Sequence, residues 1–207
     1  MDNWFEETLE TYNETADWYD SKHNDPKTMK YSLDKFIVLV ETNKVVDIGC
    51  GNGRDVKYLV ENGLDVIGVD LSSQLLNIAR KKVEEAKFIN KDMRDLPFEN
   101  SSFGGIWTCA AFHHLPKNEG EKALKEFYRI LKPKGILFIS VKKGVGERMV
   151  KKDYYQGNQK FFAYYSENEL QEKLENIDFE ILEMKEIRTA ESVTLTGSVF
   201  SRKRINS

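Results

Sequence analysis

Along the start of the chain the apolar positions Phe5, Leu9, Tyr12, Ala16 and Tyr19 step by four, three, four and three. That period predicts one amphipathic helix from Asp2 to about Asp20. "SKHNDPK" breaks it, with Asn24-Asp25-Pro26 as the turn signal. A second helix is expected to carry Met29, Leu33, Phe36, Ile37 and Val40 on one face. The period then changes. "KVVDI", "DVIGVD", "AKFIN", "FGGIWTCA" and "GILFISVK" read as buried strands. "RDVKYLVEN", "SSQLLNIARKKVEE" and "KNEGEKALKEFYRIL" read as the helices among them, with Ser72 or Ser73 as the second one's N-cap. Strands alternating with helices predict parallel crossovers and a sheet covered on both faces.

The tail has a different pattern. "KKGVGERMVKKDYYQGNQKFFAYY" reads as a long basic and aromatic connection. "SENELQEKLENI" is a helix opening on a capping box, Ser166 with Glu169. "FEILEMKEI" and "SVTLTGSVF" are two strands whose short link permits only an antiparallel pair. With no linker or repeat in the chain, residues 1–207 are expected to form one domain. Residues 1–42 form its helical N-terminal part, 43–143 a binding core and 144–207 a substrate-side segment with the last strands.

The chemistry begins at the end of the first strand, in "VVDIGCGNG". Gly49, Gly51 and Gly53 permit positive φ and let a ligand lie against the main chain. In an open parallel sheet that strand end is where ligands bind. Asp70 ends the second strand, where a carboxylate can accept from both hydroxyls of a ribose. Asp92 and Met93 follow the third strand. The carboxylate can accept from an adenine amino group, and Met93 offers a backbone N–H and an adaptable apolar wall. The fourth strand ends in the small residues Cys109-Ala110-Ala111. A dinucleotide site fits poorly, because its third glycine belongs where this chain has Arg54.

These stretches together resemble the class I S-adenosylmethionine-dependent methyltransferases. The likeness runs from "VVDIGCGNG" through "VIGVDLSSQLLNIAR" and "FINKDMRDLPFENSSFGGIW" to "FYRILKPKGILFISV". It is greatest to the small-molecule branch that includes the quinone-biosynthesis enzymes. The resemblance implies an α/β, Rossmann-like fold with a seven-stranded sheet ordered 3-2-1-4-5-7-6, strand 7 antiparallel, and the N-terminal helix as a lid. It implies S-adenosylmethionine as cofactor and S-adenosylhomocysteine as its product. Asp47 and the loop Gly49-Cys50-Gly51-Asn52-Gly53 would hold the methionine part. Asp70, with Leu71 beside it, would bind the ribose, Asp92 and Met93 the adenine, and the Ala110 backbone the amino group.

The acceptor end is less determined. Methyl transfer from an activated sulfonium needs alignment and exclusion of water, and a general base only when the nucleophile must lose a proton early. His113 is the catalytic candidate, a neutral imidazole near neutral pH, with His114 next to it on the substrate side. Tyr12 and Tyr19 on the lid, and Tyr164 and Tyr165 in "FFAYYS", are the other substrate candidates, with plain packing as the alternative for each. Cys109 reads as an inert strand-end thiol. No N-P-P-Y motif of amino-group methylation follows the fourth strand.

Composition narrows the partners. A formal net charge of -3 supplies no global attraction to nucleic acid, although "KKGVGERMVKKD" is locally basic. A small-molecule acceptor is therefore expected, with a transfer-RNA methyltransferase or a non-catalytic cofactor-binding protein as alternatives. Two cysteines form no disulfide framework, the start is not a secretory signal, and the apolar runs are too short to span a bilayer. A cytoplasmic protein is expected. His23, His113 and His114 lack metal-site spacing, so no metal is expected either. The sequence does not specify the oligomeric state.

Overall fold

The alternating faces of five short apolar strands explain the architecture. In the computed structural model, which describes residues 3–188 and 194–205, Val45 points to one face of the sheet and Val46 to the other. Trp107 and Ile106, and Phe138 and Leu137, repeat that alternation on neighbouring strands. Two cores result. One packs Trp107, Phe138 and Phe200 against Met29, Leu33 and Phe36. The other packs Ile106 and Leu137 against Phe127 and Ile130.

The strands of the main sheet are β1 (Lys44–Ile48), β2 (Asp65–Asp70), β3 (Lys87–Asn90), β4 (Phe103–Cys109), β5 (Leu131–Lys142), β8 (Phe179–Arg188) and β9 (Thr194–Lys203). Their order is β3-β2-β1-β4-β5-β9-β8. The first five are parallel, and β9 is antiparallel to both β5 and β8. This is the expected order, with β8 and β9 as the sixth and seventh strands of the sheet. The link between them, residues 189–193, lies outside the described residues. The helices α4 (Arg54–Glu61), α5 (Ser73–Lys82) and α6 (Lys117–Ile130) are the crossovers, and α7 (Glu167–Glu175) precedes β8. The two glycines of β4 are spacers. A Cβ on Gly104 would lie 2.2 Å from the Thr42 hydroxyl, and one on Gly105 would lie 2.6 Å from Phe36.

Two expectations need correction. The N-terminal helix is not continuous: α1 (Asn3–Glu14) and α2 (Ala16–Lys22) meet at Thr15. The Thr15 hydroxyl donates to the Thr11 carbonyl at 2.5 Å, beside the Thr15 backbone N–H at 3.1 Å. The basic connection is not irregular either. It folds into a hairpin of β6 (Glu147–Lys151) and β7 (Gln159–Ala163), closed through Gln156 and Gly157 at positive φ. Lysines on both strands hid the period of two. The helix α3 (Lys30–Leu39) forms as expected, burying Met29, Leu33 and Phe36. Ser72 and Ser166 cap α5 and α7 by accepting from Leu75 N and Glu169 N. The Glu169 carboxylate pairs with Lys117 at 2.7 Å.

Candidate functional site

The loop after β1 is pinned to the end of β2. Gly49 N and Cys50 N both donate to the Val69 carbonyl, at 2.7 and 3.0 Å. Gly51 N donates to Asp70 Oδ2 at 2.8 Å. The three glycines have different reasons for being glycine. A Cβ at Gly49 would lie 2.1 Å from the Ala111 Cβ, and one at Gly53 would lie 2.9 Å from the Ala79 Cβ. Those two let the chain approach itself. Gly51, at φ +53, would meet only ordinary contacts, the first with Tyr19 at 3.7 Å, and it borders a cavity.

That cavity, about 840 Å³ counted to its open mouth, lies beyond the carboxyl ends of β1, β2 and β4. Asp70 lines it. Its other oxygen accepts from Ser72 N at 2.8 Å, so each oxygen holds one backbone N–H and keeps lone pairs for a ligand. Burial pushes the Asp70 carboxyl up, and the N–H groups of Ser72, Gly51 and Leu71 pull against that. Asp92 also lines the cavity, gripped by Arg94 through both oxygens. Burial raises its carboxyl, and the Arg94 hydrogen bonds more than offset this, so it lies below its ordinary value. Ala110 sits at φ 56, a backbone strain rare away from glycine. Its N–H donates to the carbonyl and the hydroxyl of Ser140 at 3.1 and 3.0 Å, which leaves the Ala110 carbonyl as its acceptor.

The remaining wall comes from α1 and the turn after β4. His114 Nδ1 lies 2.8 Å from the Phe161 carbonyl and Nε2 lies 2.9 Å from the Tyr12 hydroxyl. A carbonyl only accepts, so Nδ1 carries the proton and Nε2 accepts from Tyr12. Burial drives the imidazole down to about 3; the Phe161 bond opposes this, and Lys160 and Lys142 add to it. The ring is neutral. Tyr12 is pushed well above its ordinary value by burial and by Tyr19, and Tyr19 is pushed by burial to about 12. The helix α1 is stitched to β7: the Thr11 hydroxyl donates to the Gln159 carbonyl at 2.9 Å, and Phe161 N donates to the Thr8 hydroxyl at 2.9 Å.

The cavity thus gathers Gly49, Gly51, Asp70, Leu71, Asp92, Met93 and Ala110 on its sheet side, and Tyr12, Tyr19 and His114 opposite. Asp47, Cys50 and Gly53 do not line it. Asp47 lies under the loop near Asp55 and Arg54, its carboxyl raised by burial and by Asp55. Cys50 packs into the core, and burial raises its thiol well above the ordinary value. His113 is buried beside Phe162, and Tyr165 packs against Phe112 under α6, neither of them at the cavity. Tyr164 stands outside, its ring 3.9 Å from the Arg148 guanidinium. Sequence reasoning missed Trp4, Thr8, Ser72 and Lys91, which line the cavity, and Phe5 and Leu9 had been read only as a helix face. It also missed the buried cluster beneath the loop. Arg54 grips Asp55 through two bonds of 2.7 and 2.9 Å, and Trp107 Nε1 donates to Asp55 at 3.0 Å. Only the register of an arginine after the last glycine hinted at it.

These groups suit an adenosyl ligand with a cationic end. Asp70 is a carboxylate with free lone pairs and no cationic partner among the described residues, and one flank of the cavity is apolar and aromatic. The arrangement has little acid–base capacity of its own. The His114 lone pair is occupied, and burial pushes the Cys109 thiol up to about 12.

Residues 46–139 match the family described as "Methyltransferase domain". The chain is 34% identical over 107 residues to the demethylmenaquinone methyltransferase of Thermotoga maritima, covering 51% of this chain and 46% of that one. It is 32% identical over 94 residues to the malonyl-[acyl-carrier protein] O-methyltransferase of Enterobacter lignolyticus, covering 45% and 37%. The matches span less than half the length of these relatives. Among solved structures, the 1,6-didemethyltoxoflavin-N1-methyltransferase of Burkholderia thailandensis, with 1,6-didemethyltoxoflavin and S-adenosylhomocysteine bound, superposes with a TM-score of 0.74. It is 21% identical and covers 99% of this chain and 92% of that one. No helix among the described residues is long and apolar enough to cross a membrane.

Proposed function

We propose that this chain, whose residues 46–139 match the methyltransferase-domain family, is an S-adenosylmethionine-dependent methyltransferase that transfers the cofactor's methyl group to a small-molecule acceptor. The observation that carries this reading is Asp70, a buried carboxylate on the cavity whose two backbone N–H donors leave it able to accept from a ribose diol. When bound, the cofactor supplies a methyl group already activated on a sulfonium sulfur.

The chain's own residues do the rest. Asp70 orients the ribose beside Leu71. Met93 borders the adenine, and Asp92, fixed by Arg94, accepts from its amino group. The Ala110 carbonyl accepts from the amino group at the other end. Trp4, Phe5, Tyr12 and Tyr19 close the acceptor side and keep water out. His114 holds Tyr12 in place and takes no proton in the reaction. The acceptor therefore enters already able to attack, and alignment supplies the rate. The two named relatives act on small or carrier-bound acceptors, as their names say, which supports the same class here.

The test incubates the protein with methyl-labelled cofactor and either a small-molecule extract or total RNA, at low and moderate salt. Label is expected in a small molecule. Label fixed at one position of an RNA, and lost when Lys151 and Lys152 are both changed to Glu, would replace this reading with RNA methylation.

A further inference from the structure

Beside the aromatic wall, the hairpin strand β7 carries a buried lysine that the methyl-transfer reading does not use. Lys160 is 3% exposed. Its ammonium lies 3.3 Å from the ring centroid of Tyr12, 4.6 Å from that of Tyr155 and 5.8 Å from that of Tyr19. It forms no ion pair with a carboxylate among the described residues. Tyr12 and Tyr19 also line the cavity and Lys160 does not, so the ammonium stands behind a wall that its aromatic cage shares with the cavity.

A buried ammonium without a counter-charge is costly. Aromatic faces return part of that cost. The other charged groups around it make matters worse. Lys142, on β5, and Lys152, before the hairpin turn, are both cations that act on it. His114 is neutral, and Tyr12 and Tyr19 are protonated. The carboxylates of α1 that reach β7 are engaged elsewhere, Glu7 by Gln159 and Glu14 by Asn158. Burial and the two lysines bring the Lys160 ammonium down to about 7. The end of the site formed by α1 and β7 is therefore aromatic and, below about pH 7, positive, and no carboxylate among the described residues pairs with the ammonium.

We propose that Lys160 is the charge-recognising residue of the acceptor site, and that the acceptor is a small aromatic acid bound as its anion. An aromatic ring suits walls built from Trp4, Phe5, Tyr12 and Tyr19, and the anion answers the charge of the ammonium that stands behind Tyr12. The proposal rests on the methyl-transfer reading for the word acceptor, and not for the site itself.

The test is calorimetry with benzoate, salicylate and 4-hydroxybenzoate, each against its uncharged amide, on the protein alone and with S-adenosylhomocysteine added. At about pH 6 the acids should bind about tenfold tighter than the amides, as expected for opposite charges facing each other across a wall that excludes water. That preference should shrink at about pH 8.5, where Lys160 has lost its proton, and vanish in Lys160→Met. Lys160→Arg, whose guanidinium does not titrate, should keep it at both pH values. Thermal melting confirms that each variant is folded. Equal binding of acids and amides, no binding of either, or an unchanged preference in Lys160→Met would overturn the proposal. Absent homocysteine-cofactor binding with the acid preference intact would strike the methyl-transfer reading instead.

Discussion

The Tyr12 hydroxyl donates to Nε2 of His114 at 2.9 Å, joining the N-terminal helix to the turn after β4. Tyr12→Phe leaves a buried imidazole nitrogen without its donor, which costs about 1–3 kcal/mol. We expect a lower melting temperature, and a larger loss in methyl transfer than in affinity for S-adenosylhomocysteine, because the pair shapes the acceptor wall. An unchanged melting temperature and unchanged turnover would make the contact incidental.

The same pair sets an acid limit. In the folded chain the His114 imidazole protonates only near about 3, against an ordinary 6.5. Between those values the unfolded chain binds more protons, so stability falls as the pH is lowered through 6.5. Denaturant unfolding from pH about 6.5 to about 5 should show wild type losing stability faster than His114→Gln. Parallel curves would contradict the assignment of a neutral, buried ring.

Lys160 carries the opposite consequence for its replacement. Its folded value of about 7 lies below the ordinary 10.5, so the unfolded chain binds the extra proton between them. The lysine's penalty is full below about 7 and disappears as the pH rises toward 10.5. Lys160→Met should be more stable than wild type, with the gain greatest at low pH. Denaturation curves that show Lys160→Met less stable near neutral pH would instead assign Lys160 a net structural role.

The loop glycines separate folding from binding. Gly49→Ala and Gly53→Ala push a methyl group against Ala111 and Ala79 in a left-handed backbone, and both should lower the melting temperature markedly. Gly51→Ala meets no close atom and costs about 1–2 kcal/mol of strain. It should fold and lose affinity for S-adenosylhomocysteine. Equal stability losses at all three positions would contradict the distinction.

The sheet was legible because its strands are short, apolar and punctuated by glycine, and because Asp70 ends β2 and Asp92 closely follows β3. The hairpin was not. Lys151, Lys152 and Lys160 interrupt its alternation, and the stitching that makes it a partner of α1 comes from Thr8 and Thr11, residues that carry no pattern. The break at Thr15 falls inside an unbroken helical spacing of apolar residues, which does not reveal it. The sequence pointed to His113 as the catalytic candidate with His114 beside it, and the turn geometry reverses this, sending His114 to the cavity and His113 into the core. Tyr164 and Tyr165 were drawn into the site by composition, while strand ends and α6 packing take them away from it.

The central claim is that the cavity beside Asp70 is an S-adenosylmethionine site. Calorimetric titration of S-adenosylhomocysteine into wild type and Asp70→Ala tests it most directly. We expect wild type to bind and Asp70→Ala to lose about 1.5–3 kcal/mol for each ribose hydrogen bond removed, while a nicotinamide cofactor gives no comparable heat. Absent binding in wild type, or equal affinity in a folded Asp70→Ala, would contradict the account.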